Sequence, residues 1–282
     1  MYKRQTYEFP IRQSGTYWYH SHTHLQEQRG VYGAIVISPR EGAVSEDRDH
    51  VVVLSDWTSQ DPESVMRTLR SGNHYYSIAK GSGQSIVGAA KLGMLGDFFS
   101  RELQRMPPMD ISDIAYDWFL ANGRPQTSLA AEPGEKARVR IVDGSATTFF
   151  YLEFAGGPMT IVSADGQPVE PVEQQRILIG VAETYDVVVE IPGPGAWELR
   201  ATAHDGSSWA SIWLGDGELH SAPPVPRPNL YPTMGKLKLG QIFALTPGGS
   251  MGMSNRKVDA GELDTPGMPA MDMDMQSHDS MS

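Results

Sequence analysis

No cysteine occurs among the 282 residues. Disulfides are therefore excluded, and so is any metal centre that needs a thiolate ligand, the blue-copper kind included. Runs of apolar residues long enough to cross a bilayer are also missing. The net charge is −11 with no basic stripe, which argues against a nucleic-acid partner. The opening residues, Met1 to Thr6, lack the apolar core of a signal peptide, which by itself reads as cytoplasmic. Helical periodicity is scarce, whereas glycine (29) and proline (20) are plentiful. That balance predicts a turn-rich, all-β architecture.

Four stretches divide the chain. Residues 1–58 read as strands at Thr6 to Arg12, Thr16 to His22, Gly33 to Ser38 and His50 to Trp57. The last carries Val51-Val52-Val53-Leu54, a run suited to a buried strand. Four strands are few for a β-sandwich, so this block is expected to be a truncated domain. Residues 59–112 read as a partly helical insert. Asp61-Pro62-Glu63-Ser64 is a helix start leading into Ser64 to Leu69, and Asp97 to Met106 has helix-like apolar spacing. Gly81 to Gly96 is ambiguous. Residues 113–222 carry strand candidates at Tyr116 to Leu120, Ala137 to Val142, Phe149 to Phe154, Met159 to Ala164, Arg176 to Ile179, Ala182 to Ile191, Ala196 to His204 and Ser208 to Leu214. Turns at Asn122-Gly123, Pro133-Gly134, Asp165-Gly166 and Gly193 to Gly195 separate them, enough for a complete β domain. Residues 223–282 begin as a proline-rich linker, Pro223 to Pro228, and continue as a methionine-rich stretch whose low aliphatic content predicts disorder.

The chain is organised around Gly15 to Gln28, which reads Gly-Thr-Tyr-Trp-Tyr-His-Ser-His-Thr-His-Leu-Gln-Glu-Gln. Aromatic and hydroxyl residues favour an extended backbone. Residues two apart on a strand share a face, so His20 and His22 project together with Trp18 on the same side. Two adjacent imidazoles are ready metal ligands. His24 keeps the same phase only if the strand continues, and is expected to be solvent-facing or to stand behind the ligands.

This stretch resembles the second copper-binding motif of multicopper oxidases, Gly-x-x-x-Tyr-His-Ser-His. Its continuation, Leu25 to Ile37, is similar to the periplasmic copper-resistance branch. The resemblance implies tandem cupredoxin-like β-sandwich domains. In it His20 and His22 each bind one of the two type 3 coppers, and residues 113–222 match a middle domain that binds no catalytic copper. Copper is the implied cofactor, with the type 3 pair partly liganded here. Type 1 and type 2 sites would need the first, third and fourth motifs, which this chain does not contain. Implied partners of the longer parent are copper ions, dioxygen and a small reducing substrate, Cu(I) or a phenol, with no nucleic acid and no membrane span. The implied compartment is the periplasm, with any export signal upstream. The chain alone is expected to be catalytically incomplete.

Other readings stand beside this one. Gly15, His20, His22 and Glu27 approximate the first motif of cupins, which bind a single metal, although the Gly-to-His gap is one residue short and no second motif follows. A non-catalytic copper-binding module is a further alternative, with a methionine-rich tail that sequesters metal. In that tail Met251, Met253, Met268, Met271, Met273, Met275 and Met281 stand with His278. Met271-Asp272-Met273-Asp274-Met275 alternates with acids and lacks the aliphatic company of core methionines. Thioethers select Cu(I), so the tail is expected to handle copper, through every one of these residues but Met281. His50, His74, His204 and His220 are isolated and read as structural or exposed. Asp56-Trp57 reads as a turn cap, and Glu183 with Asp186 as a structural hydrogen-bond corner.

Overall fold

From Lys136 to Ile141 charged residues (Lys136, Arg138, Arg140) alternate with apolar ones (Ala137, Val139, Ile141), and this alternation builds the centre of the fold. The computed structural model describes residues 6–40, 46–71, 74–103 and 112–231. The chain divides into two units, Met1–Pro232 and Thr233–Ser282. The second lies outside the described residues, and with it the whole methionine-rich stretch.

A hairpin comes first, β1 (Gly15–His20) and β2 (Tyr32–Ile37), followed by β3 (Arg48–Trp57). Helices α1 (Pro62–Arg70), α2 (Tyr75–Ala79), α3 (Ile86–Lys91) and α4 (Leu95–Leu103) form the insert. Next come β4 (Trp118–Ala121), β5 (Gln126–Leu129), β6 (Lys136–Asp143), β7 (Phe150–Phe154) and β8 (Met159–Ala164). The remainder are β9 (Gln167–Gln174), β10 (Arg176–Ile179), β11 (Thr184–Glu190), β12 (Gly195–Ala203), β13 (Trp209–Asp216) and β14 (Leu219–His220).

Two six-stranded sheets face each other. One runs β4-β3-β6-β11-β8-β9; the other runs β10-β7-β12-β13-β5 with β14 beside β12. Ala137, Val139 and Ile141 of β6 point inward with Val187 and Val189 of β11 and Val52 and Leu54 of β3. They meet Phe150, Leu152 and Phe154 of β7, Leu199, Ala201 and Ala203 of β12, and Ala210, Ile212 and Leu214 of β13. Each large side chain fully buried there contributes about 1.5–3 kcal/mol. A one-residue slip would turn any of these strands inside out, so the register is firmly set.

Several sequence expectations are corrected. Residues 6–14 form no strand, because no neighbouring strand supplies a ladder of hydrogen bonds, and Tyr7, Phe9 and Ile11 are exposed. By position in the sequence, the strand His50 to Trp57 belongs with residues 1–58. Instead β3 pairs in parallel with β6 and antiparallel with β4, because its apolar run fits between those two strands of the larger sheet. Strands β5, β9 and β14 went unforeseen. β9 is an exposed edge strand containing Pro168 and Pro171, residues tolerated only at such an edge.

The insert is helical, as expected. Asp61 caps α1 by accepting from the Ser64 N–H at 3.2 Å, with Pro62 at the first helical position. The ambiguous stretch contains α3, capped by Ser85 Oγ accepting from the Gly88 N–H at 3.0 Å. Residues 104–106 of the expected last helix lie outside the described residues. Val65, Tyr76 and Ile114 give the insert its own small core. Residues 223–231 are tied to it rather than hanging free: Gln84 Nε2 donates to the Leu230 carbonyl at 2.6 Å.

Candidate metal centre

The hairpin carrying the histidines is held on the outer face of the β6–β11 sheet by buried charge. Thr16, fully buried, donates from Oγ1 to Asp186 Oδ1 at 2.6 Å. Arg140 Nη1 donates to Asp186 Oδ2 at 2.8 Å and to Thr16 Oγ1 at 3.1 Å, while its Nε and Nη2 grip Asp49 at 2.6 and 3.0 Å. Thr184 Oγ1 donates to the Thr16 carbonyl at 3.0 Å. Burial raises the Asp186 carboxyl above its ordinary value, and the Thr16 hydrogen bond and the Arg140 charge oppose that rise. Gly15, at φ 137°, lets the backbone turn against Gly166, where a Cβ would meet the Gly166 carbonyl oxygen at 2.1 Å. β1 is thus fixed four residues before His20.

β1 ends at His20, so His22 lies beyond the strand and not on it. The two rings nevertheless stay together, with centroids 4.5 Å apart and planes tilted by 33°. Trp18 stacks on His20 at 4.2 Å and 11°, as strand alternation predicts. The connection to β2 closes on itself. Ser21 N–H donates to the Val31 carbonyl at 3.0 Å, and Ser21 Oγ donates to Gln26 Oε1 at 2.8 Å. A single 3-10 turn, Glu27–Arg29, is ended by Gly30 at φ 88°. That turn sets Glu27 Oε2 3.1 Å from His20 Nδ1. The approach lies off the N–H direction, so Nδ1 is buried without a hydrogen bond.

His24 departs from the pair. It sits at φ 53°, its side chain is 73% exposed, and its Nε2 lies 2.5 Å from Glu63 Oε1 on α1. Among the described residues no group of three or more His, Asp or Glu is arranged to hold a metal. Glu27, which the cupin reading requires as a third ligand, instead turns its Oε2 toward His20 Nδ1. The donor chemistry fits copper in part: two imidazoles whose rings stand 4.5 Å apart on a closed turn. Met251, Met253, Met268, Met271, Met273, Met275 and His278 lie outside the described residues.

The remaining polar groups are structural. Asp56 accepts from the Ala146, Thr147 and Thr148 N–H groups at 2.9–3.1 Å, the turn cap expected from sequence. Glu183 Oε2 accepts from the Gly180 N–H at 2.7 Å, and His50 Nε2 meets the Ala130 carbonyl at 2.8 Å. A chamber of about 200 Å³ lies between the histidine loop and α1, lined by Leu25, Gln28, Val65, Met66 and Tyr116. Burial and then the Asp56 charge hold the Tyr116 phenol well above its ordinary value. The sequence offered no sign of Glu27 at His20 except through the cupin spacing, and none of Arg140 at Thr16.

Residues 48–211 match a family model described as multicopper oxidase, and residues 2–42 match a second model so described. The chain is 39% identical over 278 residues to copper resistance protein A of Escherichia coli, covering 93% of this chain and 46% of that protein. It is 33% identical over 228 residues to multicopper oxidase MmcO of Mycobacterium tuberculosis, covering 79% and 42%. Among solved structures, the multicopper oxidase Fet3p superposes with a TM-score of 0.55 at 17% identity, covering 77% of this chain and 37% of that one. A laccase from Botrytis aclada gives 0.53 at 20% identity, covering 79% and 38%. These superpositions carry the cupredoxin-like fold. The chain spans less than half the length of these curated relatives.

Proposed function

Because the chain belongs to the multicopper oxidase family, we propose that it supplies one wall of a copper centre in an oxidase of the copper-resistance type. In such an oxidase, single electrons from a small reducing substrate, Cu(I) or a phenol, would enter at a type 1 copper, which this cysteine-free chain cannot form, and pass to the cluster that it walls, where dioxygen would take them up with protons to form water. The observation that carries this reading is the pairing of the His20 and His22 rings, 4.5 Å apart, at the end of a strand locked by Thr16. In this reading His20 and His22 each hold one type 3 copper. Trp18 fixes one face of His20, and the closed Ser21–Val31 turn keeps both imidazoles from turning away. The compartment, by family resemblance, is the periplasm.

With no cysteine and two paired histidines, this chain alone would not turn over. That shortage also favours a second reading, a copper-binding module without catalysis. The test is copper binding to the full chain beside His20→Ala and His22→Ala. Each substitution is expected to abolish the histidine-bound fraction; unchanged binding in both would sink the proposal. Sustained dioxygen consumption by the copper-loaded chain would overturn the expectation that it is incomplete.

A further inference from the structure

We infer that Glu27 is a positioning residue for His20: it holds the proton on Nδ1 and leaves Nε2 bare for copper. The inference rests on the reading of His20 as a ligand. Nδ1 is buried and has no hydrogen-bond partner, so an ion arriving from outside cannot reach it. The His20 side chain as a whole is 27% exposed, which leaves the far edge of the ring, with Nε2, as its open side. Glu27 Oε2 stands 3.1 Å from Nδ1, on a side chain itself only 23% exposed.

A buried imidazole N–H without an acceptor is costly, whereas a carboxylate facing it offsets that cost and selects one tautomer. Trp18, stacked at 4.2 Å, restricts ring rotation. With the ring so held, alignment falls to the Glu27 carboxylate, and such contacts tighten when the other nitrogen is engaged. Glu27 owes its place to backbone geometry. The Gly30 N–H donates to the Glu27 carbonyl at 2.9 Å, and the Val31 N–H to the Gln26 carbonyl at 3.1 Å, so the turn cannot slide. Carboxylates that orient a ligating histidine raise its basicity, and their loss weakens metal binding about 10–100-fold.

The test uses the full chain labelled with ¹⁵N-histidine. In the metal-free protein His20 is expected as the Nδ1–H tautomer. Glu27→Gln, which keeps an acceptor oxygen, should retain that tautomer, and Glu27→Ala should lose it. Titration with Cu(II) alone, followed by broadening of the His20 resonance, should show a midpoint raised about 10–100-fold in Glu27→Ala and less in Glu27→Gln. An unchanged tautomer or an unchanged midpoint in Glu27→Ala overturns the inference. Copper binding that survives both His20→Ala and His22→Ala overturns the underlying reading instead. Loss there, with Glu27→Ala still like the parent, removes the role of Glu27 alone.

Discussion

Thr16 donates its hydroxyl proton to Asp186 at 2.6 Å, joining residues 170 positions apart. This bond and the Arg140 pair beneath it are what hold the histidine hairpin on the sandwich. Thr16→Val is expected to lower stability by about 1–3 kcal/mol, the cost of stranding a buried acceptor. Arg140→Met removes the cation that Asp49 and Asp186 share; Asp186 keeps Thr16 and Arg138, 3.6 Å away, and Asp49 is partly exposed, so the cost should be about 3 kcal/mol, the low end for breaking a buried pair. Denaturant unfolding measures both. Equal stability of Arg140→Met and the parent would show that the network does not carry the hairpin.

Asp143 gives a pH dependence of definite sign. Burial holds its carboxyl well above the ordinary value. The folded state then binds more protons than the unfolded state, so this group lowers stability as pH rises from its unfolded pKa through its folded one. Asp143→Asn should be more stable relative to the parent at pH 7 than at pH 4. Thermal unfolding at the two values checks this; a difference that shrinks toward neutrality contradicts it.

Copper added to the whole chain should give no intense thiolate-to-copper absorption, since there is no thiolate to supply it. A visible spectrum settles the matter, and a strong band would require a ligand type the sequence lacks.

Met271, Met273 and Met275, each separated by an aspartate, are proposed to hold Cu(I) through thioethers. Thioethers do not titrate, so this binding should persist on mild acidification, where imidazole sites lose metal. Competition with a Cu(I) chelator at two pH values, in the chain and in its triple Leu variant, reads this out. Unchanged affinity in the variant refutes it.

Much of the sandwich was legible in the sequence, because period-two burial marks a strand without knowledge of its partners. Met159 to Ala164 and Arg176 to Ile179 were read with the bounds they have. Reading failed where a strand owes its existence to a neighbour. Gln126–Leu129 is polar and short but pairs with β13. Thr6 to Arg12 alternates correctly yet finds no ladder. β3 falls in the block 1–58 by position in the sequence, whereas its ladders go to β4 and β6 beyond the insert. At the site, His20 and His22 were visible through a local motif. Arg140 and Asp186 were not visible as its anchors, since nothing local records a contact made across most of the chain.

The position of β3 also bears on how the chain is made. Leu54 lies between Ala121 and Asp143, so Val51-Val52-Val53-Leu54 has no sheet to enter until the entire helical insert has emerged. At about 5–20 residues per second that interval is roughly several seconds. During synthesis this apolar run must stay shielded through that interval, or its bare edge becomes a site for aggregation.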